Sequence, residues 1–413
     1  MKIVVIGSIE AGVSAAMRLA AADTNASICV YEQGGFYTCG TCGLPHYLEE
    51  DLKTLQMAVD AKERELKENR IEAHLRHRVE SIDVSSKSVT VRDQTNDRVF
   101  TEHYDKLVLA TGNQERVPEV PGAGRIGVQV LKNVEDLLFL KEYIKTPYVR
   151  DIVILGAGYA GLEIAKSFCR LGRNVRIIEK ENRILPEFDA EAARLIQKEL
   201  EAAGITFQLG ERVQEFPGQT FIEQVKTNRG IYPCDLCISA IGASPNTAMA
   251  ESIGVALDAQ KAIIINENLE TNIPGIYAVG SCTAGQKEGL RTSSLRTAEL
   301  EIARTGLTEE EAKRQHLRVD SVIASGNDRP GICPNPNRIT LKLVYEADTH
   351  KILGAQAWGR KNAAARINAV AVAVAAGMTA EQLGQVGFVY ASSASAIWDP
   401  IQIVCSQVRK GGR

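Results

Sequence analysis

The run Asp151-Ile152-Val153-Ile154-Leu155-Gly156-Ala157-Gly158-Tyr159-Ala160-Gly161, continued by a helical stretch to Leu171 and the apolar segment Val175-Arg176-Ile177-Ile178-Glu179, restricts the fold of this chain more than any other feature. Apolar runs so short and continuous read as strands of a parallel sheet covered on both faces. Glycines at this spacing have separate uses: the first permits a tight turn, the second lets a pyrophosphate approach the backbone, and the third lets the helix pack on the strand. The following helix offers unpaired N–H groups and the positive end of its dipole to that pyrophosphate. Glu179 stands at the strand end, where a carboxylate holds ribose hydroxyls. It favours NAD over NADP by repelling a 2′-phosphate, with Lys180 and Arg183 close by as counterweights. Gly156, Gly158, Gly161 and Glu179 are the predicted nucleotide contacts here.

A second unit of the same kind opens the chain. A strand over residues 2–6 leads into Gly7-Ser8-Ile9-Glu10-Ala11-Gly12, then an Ala-rich helix from Val13 to Ala22 and a strand from Ile28 to Tyr31 ending at Glu32. Ile9 occupies the place of the middle glycine, while Gly7, Gly12 and Glu32 keep the roles just described. Three more buried strands end in glycine: Leu107 to Gly112, Leu236 into Gly242, and Gly275 to Gly280. Thr111, Gly112, Gly242 and Gly280 are thereby expected to carry backbone to a cofactor. The fold class implied is α/β with two Rossmann-like dinucleotide-binding domains.

A length of 413 residues favours two or three domains over one core. The net charge of −3 leaves no basic excess for nucleic acid. The charge-free apolar stretch around Ile367 to Ala380 is shorter than the roughly 18 residues of a membrane span. The N-terminus enters a strand directly with no secretory leader, so a cytoplasmic protein is expected. Nine scattered cysteines do not form the dense framework of a secreted scaffold. Cys29, Cys169 and Cys405 sit in apolar surroundings and read as small buried hydrophobes. Cys234 and Cys237 repeat a CxxC spacing on a strand, but a structural zinc needs four ligands, and no metal is expected.

Cys39 and Cys42 stand apart from these, in Thr38-Cys39-Gly40-Thr41-Cys42-Gly43-Leu44-Pro45 between the two nucleotide units. A thiolate is useful only where its pKa is lowered and an electron partner is at hand. A helix starting at Cys42 would supply the first condition through its dipole. A redox pair, Cys42 acting alone, and a purely structural role all remain open.

Together these residues resemble the pyridine nucleotide-disulfide oxidoreductases, in the branch holding coenzyme A-disulfide reductase, NADH oxidase and NADH peroxidase. The likeness runs over nearly the whole chain and implies FAD on the first unit, NAD(H) on the second, and a homodimer built by a C-terminal α+β dimerisation domain. The implied boundaries are 1–117 with 244–290 for a split FAD domain, 118–243 for the NAD domain and 291–413 for the dimerisation domain. Cys42-Gly43-Leu44-Pro45 matches the family's redox cysteine, Tyr159 its nicotinamide-gating tyrosine and Glu163 the carboxylate beside it. Tyr390 resembles a tyrosine that reaches the partner subunit's active site, although a packed interface aromatic explains it equally. No rhodanese-like extension is expected, since the chain ends at Arg413.

Four departures accompany the match. Cys39 stands where disulfide-reducing relatives carry Phe. Glu10 replaces the histidine of the oxidases and peroxidases; it either relays a proton to the cysteines or favours the helix dipole. Ser281 replaces the aspartate that binds the flavin's ribityl chain. The family's flavin-facing helix is missing between Cys282 and Arg291. The first helix keeps Arg18 but follows it with Leu19, Ala20, Ala21 and Ala22, which argues against coenzyme A, whose phosphates call for several cations.

The leading expectation is an oxidoreductase passing electrons from NADH through FAD to Cys42, with Cys39, to reduce a disulfide, persulfide or related sulfur compound. An NADH oxidase or peroxidase acting on oxygen or peroxide is one alternative, and a degenerate nucleotide-binding relative without turnover is another. The expected partners are a small thiol, disulfide or oxidant and a second copy of the chain, with neither nucleic acid nor membrane. The segment from Thr308 through Glu309, Glu310 and Glu311 to Arg314 reads as a capped helix whose charges are explained by solvation.

Overall fold

The computed structural model describes all residues except Ile9, 38–42, 50–51, 285–290, 298–299, 392–394 and 409–413. The chain forms two compact units, Met1–Gly156 with Val213–Lys287, and Ala157–Arg212 with Glu288–Arg413.

The first unit is built on five parallel strands in the spatial order Ile276–Ala278, Lys106–Leu109, Lys2–Ile6, Ser27–Tyr31, Ile71–His74. Successive side chains point to opposite faces, and both faces are covered. On one, Ile3, Val5, Ile28 and Val30 pack with Val13 and Ala16 of the helix Glu10–Ala22 and Leu66 of the helix Leu52–Glu68. On the other, Val4, Ile6, Cys29 and Tyr31 meet Val79, Ile82, Val89 and Val91, contributed by an antiparallel sheet of His77–Asp83, Ser88–Asp93 and Arg98–His103. Double coverage is the reason these strands read as unbroken apolar runs. The same unit holds Asp151–Leu155, paired in parallel with Leu236–Ser239, which in turn pairs with Val128–Gln129.

The second unit carries the helix Tyr159–Arg170, the parallel strands Asn174–Glu179 and Thr206–Leu209, and the helix Ala190–Ala202. Its remainder is an antiparallel sheet in the order Thr292–Thr297, Leu300–Gly306, Ile352–Gly359, Arg338–Glu346, Val319–Asn327. The helix Ala363–Ala375 buries Ala363, Ile367, Val370 and Ala373 in the core formed with Leu341, Leu343, Ala355 and Ala357. That spacing of three and four places one stripe on the sheet, so the apolar stretch belongs to an amphipathic core helix. Among the described residues no helix is long and apolar enough to cross a membrane.

The cap expected at Thr308 is present: its hydroxyl accepts from the Glu311 N–H, and the Glu311 carboxylate accepts from the Thr308 N–H. The expectation of solvated charges on the helix Glu309–Arg314 is corrected. Glu309 pairs with Lys342 (2.8 Å), Glu310 with Arg183 (2.6 Å) and Glu311 with Arg304 (2.6 Å). Lys342 is only 1% exposed and also pairs with Asp189 (3.0 Å) and Glu191. Burial acts against its ammonium, but hydrogen bonds to Glu191, Glu309 and Asp189 outweigh it and raise the Lys342 pKa.

Candidate functional site

The two glycine turns share one geometry. Gly7 has a φ of +103°, and a Cβ there would sit 2.3 Å from the Ala110 carbonyl oxygen; Gly156 has a φ of +98°, with the Ala240 oxygen at 2.4 Å. Each turn presses on the end of a neighbouring parallel strand, leaving no room for a side chain. A Cβ on Gly12 would lie 1.9 Å from the Gly7 oxygen, which accounts for the third glycine of the first motif.

The strand-end carboxylates also match. Glu32 accepts from the Ser8 N–H (2.8 Å), the Ser8 hydroxyl (3.2 Å) and the Gly34 N–H (2.8 Å). Glu179 accepts from the N–H groups of Ala157 (2.8 Å) and Glu181 (2.9 Å). Each acid ties its own glycine turn to the strand end, and each carboxylate keeps acceptor capacity for a ribose hydroxyl, in Glu32 on the oxygen that faces Gly34. The sequence reading missed Ser8, buried at the turn. Its hydroxyl directly after the first glycine was the available signal.

A cleft of about 480 Å³ opens beside Gly7 and Glu32, lined further by Thr111, Lys132, Asn133 and Asn246. The Thr111 hydroxyl donates to the Asn246 carbonyl (2.6 Å), and the Asn246 N–H donates to the Gly112 carbonyl (3.0 Å), which fixes the predicted Thr111-Gly112 backbone at the rim. Asn133 caps the helix Val134–Tyr143 in a reciprocal box with Asp136. The Asn-x-x-Asp pattern was readable; its place at the cleft was not, because residues 111, 133 and 246 are far apart in sequence. A nucleotide fits this cradle, with glycine where backbone must approach it and a carboxylate at the ribose position.

In the second unit, Gly158 caps the helix Tyr159–Arg170 with no side-chain hydrogen bond, and the space where its Cβ would project holds no atom within 4 Å. The helix N-terminus is thus open to a pyrophosphate, and Gly161 is buried one turn on. The Tyr159 hydroxyl lies 2.6 Å from that of Ser293, and its ring is tilted against Phe188. Burial raises the Tyr159 pKa. Burial also raises that of Glu163, against the opposing effects of the Arg296 N–H and Lys166.

The remaining predicted residues lie as follows. Gly112, Gly242 and Gly280 all take positive φ at strand ends. Gly280 approaches the first helix closely: a Cβ there would be 2.6 Å from the Ala11 Cβ. Ser281 is exposed in the short turn Gly280–Cys282, whereas Cys282 is buried. Glu10 is exposed as the first residue of its helix, and Tyr390 is 57% exposed. Cys39 and Cys42 lie outside the described residues; the next helix begins at Leu44, two positions beyond Cys42.

Residues 1–304 match the pyridine nucleotide-disulphide oxidoreductase family, and residues 293–400 its dimerisation domain. The chain is a pyridine nucleotide-disulphide oxidoreductase. Oxidoreductases of this family are enzymes that use FAD and NAD(P)H. This one is 30% identical to a protein named NAD(P)H sulfur oxidoreductase (CoA-dependent) from Pyrococcus furiosus, over 99% of each chain. It superposes with a TM-score of 0.91 on an NAD-dependent persulfide reductase from A. fulgidus, 29% identical, covering 98% of this chain and 82% of that one. A water-forming NADH oxidase from Lactobacillus brevis, bound to NADH, superposes at 0.89 with 28% identity and covers 98% and 97%. The Pyrococcus alignment runs over 444 positions and includes 99% of the 413 residues here, so that relative carries about thirty-five residues with no counterpart in this oxidoreductase.

Proposed function

We propose that this oxidoreductase takes electrons from NADH through FAD to Cys42 and reduces a disulfide, persulfide or related sulfur compound, with Cys39 as the resolving thiol. The observation that carries the reading is the Cys39/Cys42 pair placed in sequence between two nucleotide cradles of matching geometry. The names of the Pyrococcus furiosus and A. fulgidus relatives support a sulfur acceptor. The proposed domains are 1–117 with 244–290 for FAD, 118–243 for NAD(H) and 291–413 for dimerisation. The dimerisation match from residue 293 supports the last of these, as do Val389, Tyr390, Ile397 and Trp398, each more than half exposed on the second unit.

Gly7, Gly12, Glu32, Thr111, Gly112 and Ser281 are assigned to FAD, which when bound accepts a hydride from NADH and passes the electron pair to sulfur. Gly156, Gly158, Gly161, Glu179 and Gly242 are assigned to the nucleotide, with Tyr159 and Glu163 beside the nicotinamide. The Cys42 thiolate attacks one sulfur of the acceptor and releases the other as a thiolate, leaving a mixed disulfide. The Cys39 thiolate then attacks the Cys42 sulfur, releases the second product thiol and closes a Cys39–Cys42 disulfide, which the electron pair from NADH reopens. Glu10, the exposed first residue of its helix, is assigned the return of protons to these thiols, with a purely helix-dipole role as the alternative.

Likeness to the Lactobacillus brevis enzyme favours a second reading, in which oxygen is the acceptor. Turnover of NADH separates the two. A sulfur reductase oxidises NADH anaerobically when polysulfide or an organic disulfide is added and loses at least about a hundredfold in rate in both Cys42→Ser and Cys39→Ser. Oxygen consumption surviving Cys39→Ser, without anaerobic turnover, would establish the oxidase reading instead.

A further inference from the structure

Arg183 was a sequence-level reason to leave NADPH open, and its surroundings in the second unit bear on that directly. The segment after Glu179 folds back so that the Leu185 N–H donates to the Ala157 carbonyl (2.9 Å), which brings residues 180–185 past the glycine turn. A 2′-phosphate would project from the ribose held at Glu179, and Lys180 and Arg183 are the cations this segment offers it. Lys180 is an exposed ammonium 3.9 Å from Glu181. Arg183 is engaged elsewhere. Its Nη1 and Nη2 donate to the two carboxylate oxygens of Glu310 at 2.6 Å each, and Nη2 also reaches the Pro186 carbonyl at 3.1 Å. This is the forked, charge-assisted geometry in which guanidinium binds carboxylate most strongly, and it occupies the same donor fork that binds phosphate.

Glu310 is itself fixed in place. The carboxylate of buried Asp189 accepts from the N–H groups of Glu309 (3.2 Å) and Glu310 (3.0 Å), while Lys342 pairs with both Asp189 and Glu309. The Ala190 N–H donates to the Glu310 carboxylate at 3.3 Å. The carboxylate facing Arg183 is therefore positioned by the fold before any nucleotide arrives.

We infer that Glu310 is a specificity-positioning residue: it holds Arg183 away from the nucleotide and so keeps the enzyme selective for NADH over NADPH. The inference rests on the NADH reading above. Glu179 repels a 2′-phosphate directly, and Glu310 withdraws the one guanidinium of the adjoining segment that could neutralise it.

The test is equilibrium binding of NADH and NADPH to the FAD-loaded protein, followed by nucleotide fluorescence, in wild type, Glu310→Gln, Arg183→Ala and the double variant. Glu310→Gln should leave the NADH Kd within about twofold and tighten NADPH by about tenfold, the scale of a newly formed charge-assisted contact. Arg183→Ala should change neither, and the double variant should return NADPH to its wild-type Kd. Melting curves of each variant confirm a retained fold. A wild type selective for NADH whose Glu310→Gln form gains nothing toward NADPH overturns the inference alone, as does a gain that persists in the double variant. A wild type that binds NADPH as tightly as NADH overturns the NADH reading and the inference together.

Discussion

Among the seven cysteines outside the motif, five are buried, and Cys169 and Cys333 are half-buried. Burial pushes the Cys29 and Cys169 thiols up to about 11 and that of Cys405 to about 12, and it raises Cys237 well above the usual range, with Cys234 adding to the effect. At pH 8 a thiol of pKa 11 is thiolate in about one molecule per thousand, and a raised pKa means that reactivity appears only in strong alkali. An aromatic disulfide reagent at pH 8 should therefore label Cys39, Cys42 and half-buried Cys333 in the native reduced protein, with the five buried thiols at 29, 234, 237, 282 and 405 reacting only in denaturant. Peptide mapping of the labelled sites checks this. Rapid native labelling of Cys29 or Cys405, with Cys42 spared, would contradict it.

The short helix Glu309–Arg314 shows what a sequence reading can and cannot carry. Its cap was legible, because Thr308 and Glu311 sit at the fixed spacing of a reciprocal box. The glycine turns, the strands they end and the acids Glu32 and Glu179 were legible for the same reason, since each depends on neighbours within about twenty-five residues. The partners of Glu309, Glu310 and Glu311 were not: Lys342, Arg183 and Arg304 arrive from other elements, and nothing local distinguishes a glutamate facing water from one facing a buried lysine. The Tyr159–Ser293 contact and the Thr111–Asn246 clasp were hidden for that reason too. Within this network, Lys342→Met would leave the Asp189 carboxylate, 1% exposed, without its cation. The expected loss is about 3–5 kcal/mol, read as a lowered urea midpoint at unchanged slope. A change below about 0.5 kcal/mol would mean that the cluster contributes nothing net.

Across the whole molecule, a turn, a helix and a strand-end acid recur twice, around Gly7 and around Gly156, while the Cys39/Cys42 motif follows only the first of them in sequence. On the proposed reading the repeats have different tasks: the first cradle is assigned the flavin that exchanges electrons with sulfur, the second the nucleotide that supplies them. Within the proposed flavin site, Ser281 stands where the family resemblance implies an aspartate. An anaerobic titration of the FAD-loaded, oxidised protein with NADH, followed by flavin absorbance, tests electron flow to the cysteines most directly. A Cys39–Cys42 disulfide stores one electron pair beyond the flavin's own, so the wild type should consume one more NADH per flavin than Cys42→Ser before the flavin is fully bleached. Identical end points in the two proteins, or a purified chain that takes up no FAD, would contradict the account.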